Sequence, residues 1–188
     1  MSMKIRAARE RFEAIYTLVR DPLYRYLARR ASAEAVDDLF TEVLLVLWRR
    51  IDAVPVGGEP PWALAVARRT LSNHRRANSR AARLFAKLAL YAPGVDPGPE
   101  PNGGDPDLER ALLRLREGDR EILRLFAWEQ LTTPEIAIVL GVSANTTGVR
   151  LHRAKERLRA ELIAMRGKSG ATRGQVVGVE RKEVRDER

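Results

Sequence analysis

Apolar residues recur along this chain at helical intervals, and nowhere does the alternation of a strand persist. Val36, Leu39, Phe40, Val43, Leu44 and Leu47 stand at i, i+3, i+4, i+7, i+8 and i+11. That spacing predicts an amphipathic helix of about four turns ending near Arg49–Arg50. Upstream, Phe12, Ile15, Tyr16, Val19, Leu23 and Leu27 are helically spaced, with Pro22 expected to interrupt or restart the helix near Asp21. VPVGGEPP (54–61) reads as a loop, after which Trp62 opens a third helix running to about Leu88. Further on, Asp105-Pro106 starts a helix with Leu108, Leu112 and Leu115 inward. A break at Gly118-Asp119 then leads to another with Ile122, Leu123 and Phe126 inward.

The segment 131–158 carries the sharpest local signal. Thr132 and Glu135 form an S/T-x-x-E capping box with Pro134 in the first turn. Ile136, Ala137 and Leu140 give an apolar face, and Gly141 is the natural stop. Ser143 can cap a second helix, on which Thr147, Leu151, Ala154 and Leu158 form an inward stripe. Asn145, Thr146, Arg150, Arg153, Lys155 and Arg157 fall largely on the rest of its surface. Two short helices at a glycine turn, the second polar and cationic, have the geometry that places a helix in a DNA major groove.

Between these parts lies YAPGVDPGPEPNGGDP (91–106), dominated by Pro and Gly, with acidic Asp96, Glu100 and Asp105. It cannot bury enough surface to fold alone and reads as a flexible linker. Stretched, it reaches about 50 Å at ~3.3 Å per residue. The expected fold is therefore all-α: two small helical domains, 1–90 and 107–166, joined by the linker 91–106, the second a helix-turn-helix. The Gly- and charge-rich tail 167–188 is expected to be disordered.

Charge sharpens the picture. The 188 residues carry a formal net charge of +9, which favours a polyanionic partner, nucleic acid first. The basic charge is concentrated. Residues 62–88 hold seven cations (Arg68, Arg69, Arg75, Arg76, Arg80, Arg83 and Lys87) and no acid. With Trp62 at its start and Ser72, Asn73 and His74 between the cations, this helix suits melted or single-stranded nucleic acid. Trp62 fits either a stacking platform or a core position under the loop. The preceding helix is the reverse: Glu34, Asp37, Asp38 and Glu42 make an acidic ridge, which caps the helix N-terminus or docks a basic protein. Leu45 and Trp48 stand at the margin of its core stripe, and Trp is a common interface anchor.

There is no cysteine, and the two histidines, His74 and His152, are far apart among arginines. Disulfides and cysteine metal sites are excluded, and no metal or other cofactor is expected. The absence of a Gly-rich phosphate loop or of a nucleophile with a nearby His argues against an enzyme and against a small-molecule substrate. Without a signal-like N-terminus or a run of about 20 apolar residues, a cytoplasmic protein that does not insert into membranes is expected.

In this order the pieces resemble the small extracytoplasmic-function (ECF) sigma factors of bacterial RNA polymerase, over about Phe12–Leu162. VDDLFTEVLLVLW (36–48) looks like the family's polymerase-docking helix, WALAVARRTLSNHRR (62–76) like the segment that melts and reads the −10 element, and 115–159 like the −35 reader, with RLHRAKERLR (150–159) the closest local match. The resemblance implies a promoter-specificity subunit that binds core polymerase, directs initiation and assists melting. It implies docking through Asp37, Asp38, Glu42, Leu45 and Trp48. It implies −10 contacts, to duplex and melted DNA, from Trp62, Arg68, Arg69, Asn73, His74, Arg75 and Arg76. It implies −35 contacts from Ser143, Asn145, Thr146, Arg150, Arg153 and Lys155. An inhibitory anti-sigma partner is expected from the family, though nothing in the sequence identifies one. Departures from the pattern include Thr41, Val46, Ala65 and Arg69, Gln130 where Gly is frequent, and Thr147-Gly148-Val149 in the recognition helix. From the residues alone, a stand-alone helix-turn-helix regulator on duplex operator DNA, or an adaptor binding RNA non-specifically, stays open as an alternative.

Overall fold

The computed structural model describes residues 3–87 and 105–176, and among them every regular element is helical. α1 spans Met3–Ala28, α2 Ala33–Arg49, and α3 Glu59–Lys87, with a 3₁₀ turn at Ile51–Ala53 between α2 and α3. After residues 88–104 come α4 (Pro106–Arg114), α5 (Glu117–Ala127), α6 (Thr133–Leu140) and α7 (Ala144–Val176). No described helix is long and apolar enough to cross a membrane.

Helices α1, α2 and α3 pack on one another pairwise, and α6 packs on α3. The chain divides into two compact units: one holds α1–α3 together with residues 125–147, the other α4, α5 up to Arg124, and α7 from Gly148. The expected linker 91–106 lies, but for Asp105 and Pro106, outside the described residues.

In the first unit the stripes meet as their spacing implies. Ile15, Val19, Leu23 and Leu27 of α1 bury against Val36, Leu39, Val43 and Leu47 of α2 and Ala63, Leu64, Ala67 and Leu71 of α3. Burying such a side chain is worth roughly 1.5–3 kcal/mol, so this interlocked set outweighs weak local signals. Pro22 is the case in point. The sequence expectation of an interruption there is corrected: α1 runs unbroken through Pro22. An interior proline costs about 3 kcal/mol, but Val19, Leu23, Tyr26 and Leu27 on either side are all buried. The carbonyl left unmatched belongs to exposed Leu18, where water can serve it.

Three other expectations shift in register. α5 begins at Glu117, so the break is at Leu115–Arg116 and Gly118 lies in the first turn. The buried positions are Ala111 and Leu112 of α4, Leu115 in the break, and Ile122, Leu123 and Leu125 of α5, whereas Leu108 and Phe126 are exposed. Finally, α7 continues to Val176, into the segment expected as a tail, in keeping with the low cost of propagating an established helix. Residues 177–188 lie outside the described residues.

Candidate nucleic-acid and polymerase interfaces

Helix α2 is two-faced. Val36, Leu39, Val43 and Leu47 are buried, while Asp37, Asp38, Glu42, Leu45 and Trp48 are all exposed. Asp38, Leu45 and Trp48 fall at i, i+7 and i+10, one outward line. Trp48 is held in place rather than dangling: its ring meets Phe12 of α1 edge-on, centroids 5.4 Å apart at 88°. Tyr24 of α1 and Phe40 of α2 make a second edge contact at 5.7 Å. The result is a carboxylate-bearing ridge ending in a propped indole, which suits a partially basic protein surface with an apolar socket.

Helix α3 presents the opposite charge. At 3.6 residues per turn, Trp62, Arg69, Asn73 and Arg76 share one face, opposite buried Ala67 and Leu71. Arg69, Asn73 and Arg76 are exposed, and Trp62 is half-buried, so its ring serves packing and surface at once. Arg80 and Arg83, also exposed, extend the same line. They were absent from the expected contact set, although their i+4 and i+7 spacing from Arg76 marks them. Arg68 and Arg75 lie on a neighbouring stripe, and Arg75 Nη2 donates to the Arg30 carbonyl at 3.2 Å. His74 is not brought to the cationic face. It is half-buried on the core flank, with Nε2 3.0 Å from Asn78 Nδ2.

The helix-turn-helix is built locally as its residues dictate. The Thr132 backbone N–H donates to the Glu135 carboxylate at 2.8 Å and the Thr132 hydroxyl donates to the same oxygen at 2.6 Å. Gly141 ends α6 at φ +68°, and the Val142 N–H reaches back to the Ala137 carbonyl at 3.1 Å. Ser143 caps α7: its Oγ accepts from the Thr146 N–H at 3.1 Å and donates to Thr146 Oγ1 at 2.8 Å. Thr147 is fully buried, its hydroxyl donating to the Ser143 carbonyl at 3.0 Å. Leu151 and Ala154 are also buried, and Leu158 half-buried.

On α7 the expected contact residues sort by azimuth. Thr146, Arg150 and Arg153 share a face, and Asn145 occupies the adjoining exposed stripe. Lys155 is exposed but lies on the far side of the helix from Arg153. Ser143 and Thr146 spend their hydroxyls on each other and the cap. In the second unit, Arg157 Nη1 sits 2.6 Å from Asp119 of α5, so this cation is tied to its own fold.

The chain is similar to known proteins over most of its length. Residues 106–158 match the family "Sigma-70, region 4". The RNA polymerase sigma-E factor of Streptomyces avermitilis is 34% identical over 155 residues, covering 80% of this chain and 84% of that protein. The ECF RNA polymerase sigma factor SigL of Mycobacterium tuberculosis is 27% identical over 153 residues, 74% of this chain and 82% of its own. Among solved structures, the sigma factor RpoE of Bartonella quintana, crystallised with the anti-sigma factor NepR, has the same fold, with a TM-score of 0.60 at 20% identity over 80% of this chain and 96% of that one. CnrH in complex with the cytosolic domain of CnrY gives a TM-score of 0.53 at 23% identity, over 81% and 88%. The chain belongs to the sigma factors of bacterial RNA polymerase, in their extracytoplasmic-function group.

Proposed function

We propose that this sigma factor divides its work among three surfaces: the α2 ridge for polymerase, the α3 face for the −10 element, and the exposed face of α7 for the −35 element. As a sigma factor the protein binds core polymerase and promoter DNA and confers promoter choice on initiation; the bond-making chemistry belongs to the polymerase, and the protein works in the cytoplasm with it.

The observation that carries this division is the opposition of charge within one compact unit. The α2 ridge of Asp37, Asp38 and Glu42 repels DNA, whereas Arg69, Arg76, Arg80 and Arg83 on α3 attract it. A protein evolved only to grip DNA gains nothing from an exposed acidic, aromatic ridge. Trp48 gives that ridge an aromatic anchor of the kind that carries most interface energy, with exposed Leu45 beside it.

On α3, Trp62 and Asn73 stand on the cationic face where a base leaving the duplex would stack and be read. Extrusion costs a few kcal/mol, and aromatic stacking returns about 1–3 kcal/mol per base, with arginine–phosphate attraction added. Arg68 and Arg75 flank this face as phosphate contacts, and His74 is a supporting residue rather than a reader. On α7, Arg150 and Arg153 reach guanine edges or phosphates and Asn145 an adenine edge, each good bidentate pair being worth about 1–3 kcal/mol of discrimination. Thr146 and Ser143 approach the backbone at the helix N-terminus, where phosphate is favoured. Lys155 contributes charge from the flank. An anti-sigma protein is a fitting regulator, since both the Bartonella quintana neighbour and CnrH were solved with protein partners on them.

The test is run-off transcription from a genomic promoter library with purified core polymerase. This reading expects transcripts from a defined promoter set that appear only when the protein and core are combined. Tight binding of the lone protein to a palindromic duplex, with no transcripts from the mixture, would favour the stand-alone regulator instead.

A further inference from the structure

Val149 occupies the outermost point of α7. At about 100° per residue, Thr147, Leu151, Ala154 and Leu158 form its buried and half-buried stripe, and Val149 falls almost directly opposite the middle of that stripe. It lies on one line with Asn145 and Arg153, at i, i+4 and i+8, between the stripes that hold the other expected −35 contacts. Asn145 and Arg153 are exposed, and Val149 itself is 45% exposed. Among the described residues of α7, only Val149 and Ile163 are large apolar side chains so open to water, and Ile163 is about four turns further on. One turn past Arg153 the line ends in Glu156, a carboxylate paired with Arg159 at 2.5 Å. The part of the line that suits DNA therefore runs from Asn145 to Arg153.

The fold gives no reason for valine here. Neither glycine nor a β-branched residue favours a helix. In Gly148-Val149 the two follow each other, and Val149 gains little burial in return. Both positions are among those where the chain departs from its family's pattern, so the explanation belongs to this chain.

The major groove supplies one. Of the four bases, thymine alone presents a methyl group there, beside the donors and acceptors common to all base edges. Valine offers two methyl groups and no hydrogen-bonding atom. Against guanine, adenine or cytosine it strips water from a polar edge and gives nothing back. Against a thymine methyl it buries apolar surface from both sides. The reach agrees: valine is short, and the thymine methyl projects from the base edge into the groove. Four residues of helix rise about 6 Å against ~3.4 Å per base pair, so Asn145, Val149 and Arg153 meet base pairs one or two steps apart.

We infer that Val149 reads a thymine in the −35 element through its C5-methyl group, between the base pairs open to Asn145 and Arg153. The inference rests on the proposed assignment of α7 to the −35 element, and adds to it a base that no charge or hydrogen bond on the helix selects.

The test uses holoenzyme, assembled from the full chain and core polymerase, on a promoter that it transcribes. Each thymine of the −35 element is replaced in turn by deoxyuridine, which keeps base pairing and removes only the methyl group. One such replacement should weaken binding of the wild-type holoenzyme by about fourfold, the equivalent of one buried methyl group, as read by fluorescence anisotropy. With Val149→Ala, a change that favours the helix, binding to thymine DNA should fall by a similar factor, and the same replacement should have little further effect. At that position 5-methylcytosine, paired with guanine, should bind the wild type more tightly than cytosine does, and the two should be alike for Val149→Ala. If no deoxyuridine replacement weakens wild-type binding, or if the loss is as large in Val149→Ala, the inference is wrong; a loss of binding in Arg153→Ala then shows that α7 still meets the −35 element. If Arg153→Ala and Asn145→Ala also bind as tightly as wild type, the assignment of α7 itself is wrong and the inference falls with it.

Discussion

Gln130 holds a left-handed backbone, φ 54°, without being glycine. That conformation costs an L-residue roughly 1–2 kcal/mol, and it is stored next to Glu129 at the entry to α6. The turn demands it: the Leu131 N–H returns to the Leu125 carbonyl at 3.2 Å, closing the chain back on α5. Gln130→Gly should therefore stabilise the protein. Relief of strain exceeds the extra entropy glycine brings to the unfolded chain by about 0.5–1 kcal/mol, a rise of roughly 1–4 °C in Tm by scanning calorimetry. Gly141 is the mirror case. It also has a positive φ, and a Cβ there would touch nothing within 4 Å. Gly141→Ala should cost about 1–2 kcal/mol through backbone strain alone; an unchanged urea midpoint would show that α6 does not end in this cap. The sequence marked Gly141 because glycine after an apolar run is a stop signal. Gln130 stood out as a departure from its family, but its backbone angle could not be read from its side chain. Glu129 and Arg30, an ion pair at 2.9 Å with both side chains nearly sealed from water, were less legible still. A buried pair a hundred residues apart leaves no local pattern, and each residue alone looks like a solvated charge.

At the scale of the element, legibility followed the strength of the stripe. Of the apolar stripe expected on α2, Val36, Leu39, Val43 and Leu47 are buried and Phe40 and Leu44 half-buried on its flank, because nothing competes with four turns of one-sided burial. In α1 the local rule for Pro22 lost to the stripe on both sides of it. In α4 and α5, helices of nine and eleven residues, the spacing put Phe126 inward, and tertiary packing took Leu125 instead. The two proposed interfaces of the first unit are best tested helix by helix. Trp48→Ala should weaken core-polymerase binding at least tenfold, as expected of a central aromatic anchor worth about 2 kcal/mol or more. Asp38→Arg should do so mainly through the association rate. Surface plasmon resonance on immobilised core separates the two effects, and unchanged kinetics in both variants would remove α2 from the docking surface. For α3, Arg76→Ala combined with Arg80→Ala should flatten the dependence of log K on log salt for holoenzyme on promoter DNA. The expected change in slope is about 1.4–1.8, set by two lost phosphate contacts at ~0.7 each on single strands or ~0.9 each on duplex. A slope identical to wild type would mean that this line of arginines faces solvent in the complex.

For the whole molecule, the order of helical segments and the change of charge from α2 to α3 were legible because both are written in consecutive residues. The packing of α6 on α3 was not, since it depends on which surfaces find each other across the connecting segment. The expected linker carries a prediction of its own. The 16 residues from Tyr91 to Pro106 have a contour of about 50 Å at ~3.3 Å each. Removing eight of them leaves about 25 Å, half the reach of the whole segment. The shortened protein keeps α2 and its ridge intact, so its affinity for core polymerase should equal that of wild type. Its readers, however, can no longer reach elements at the natural spacing, and run-off transcription from such promoters should fall at least tenfold. Promoters rebuilt with the two elements closer together should recover part of the loss, a rescue that a folding defect cannot produce. Full activity of the shortened protein at natural spacing would show that the reach between the two readers does not depend on this segment.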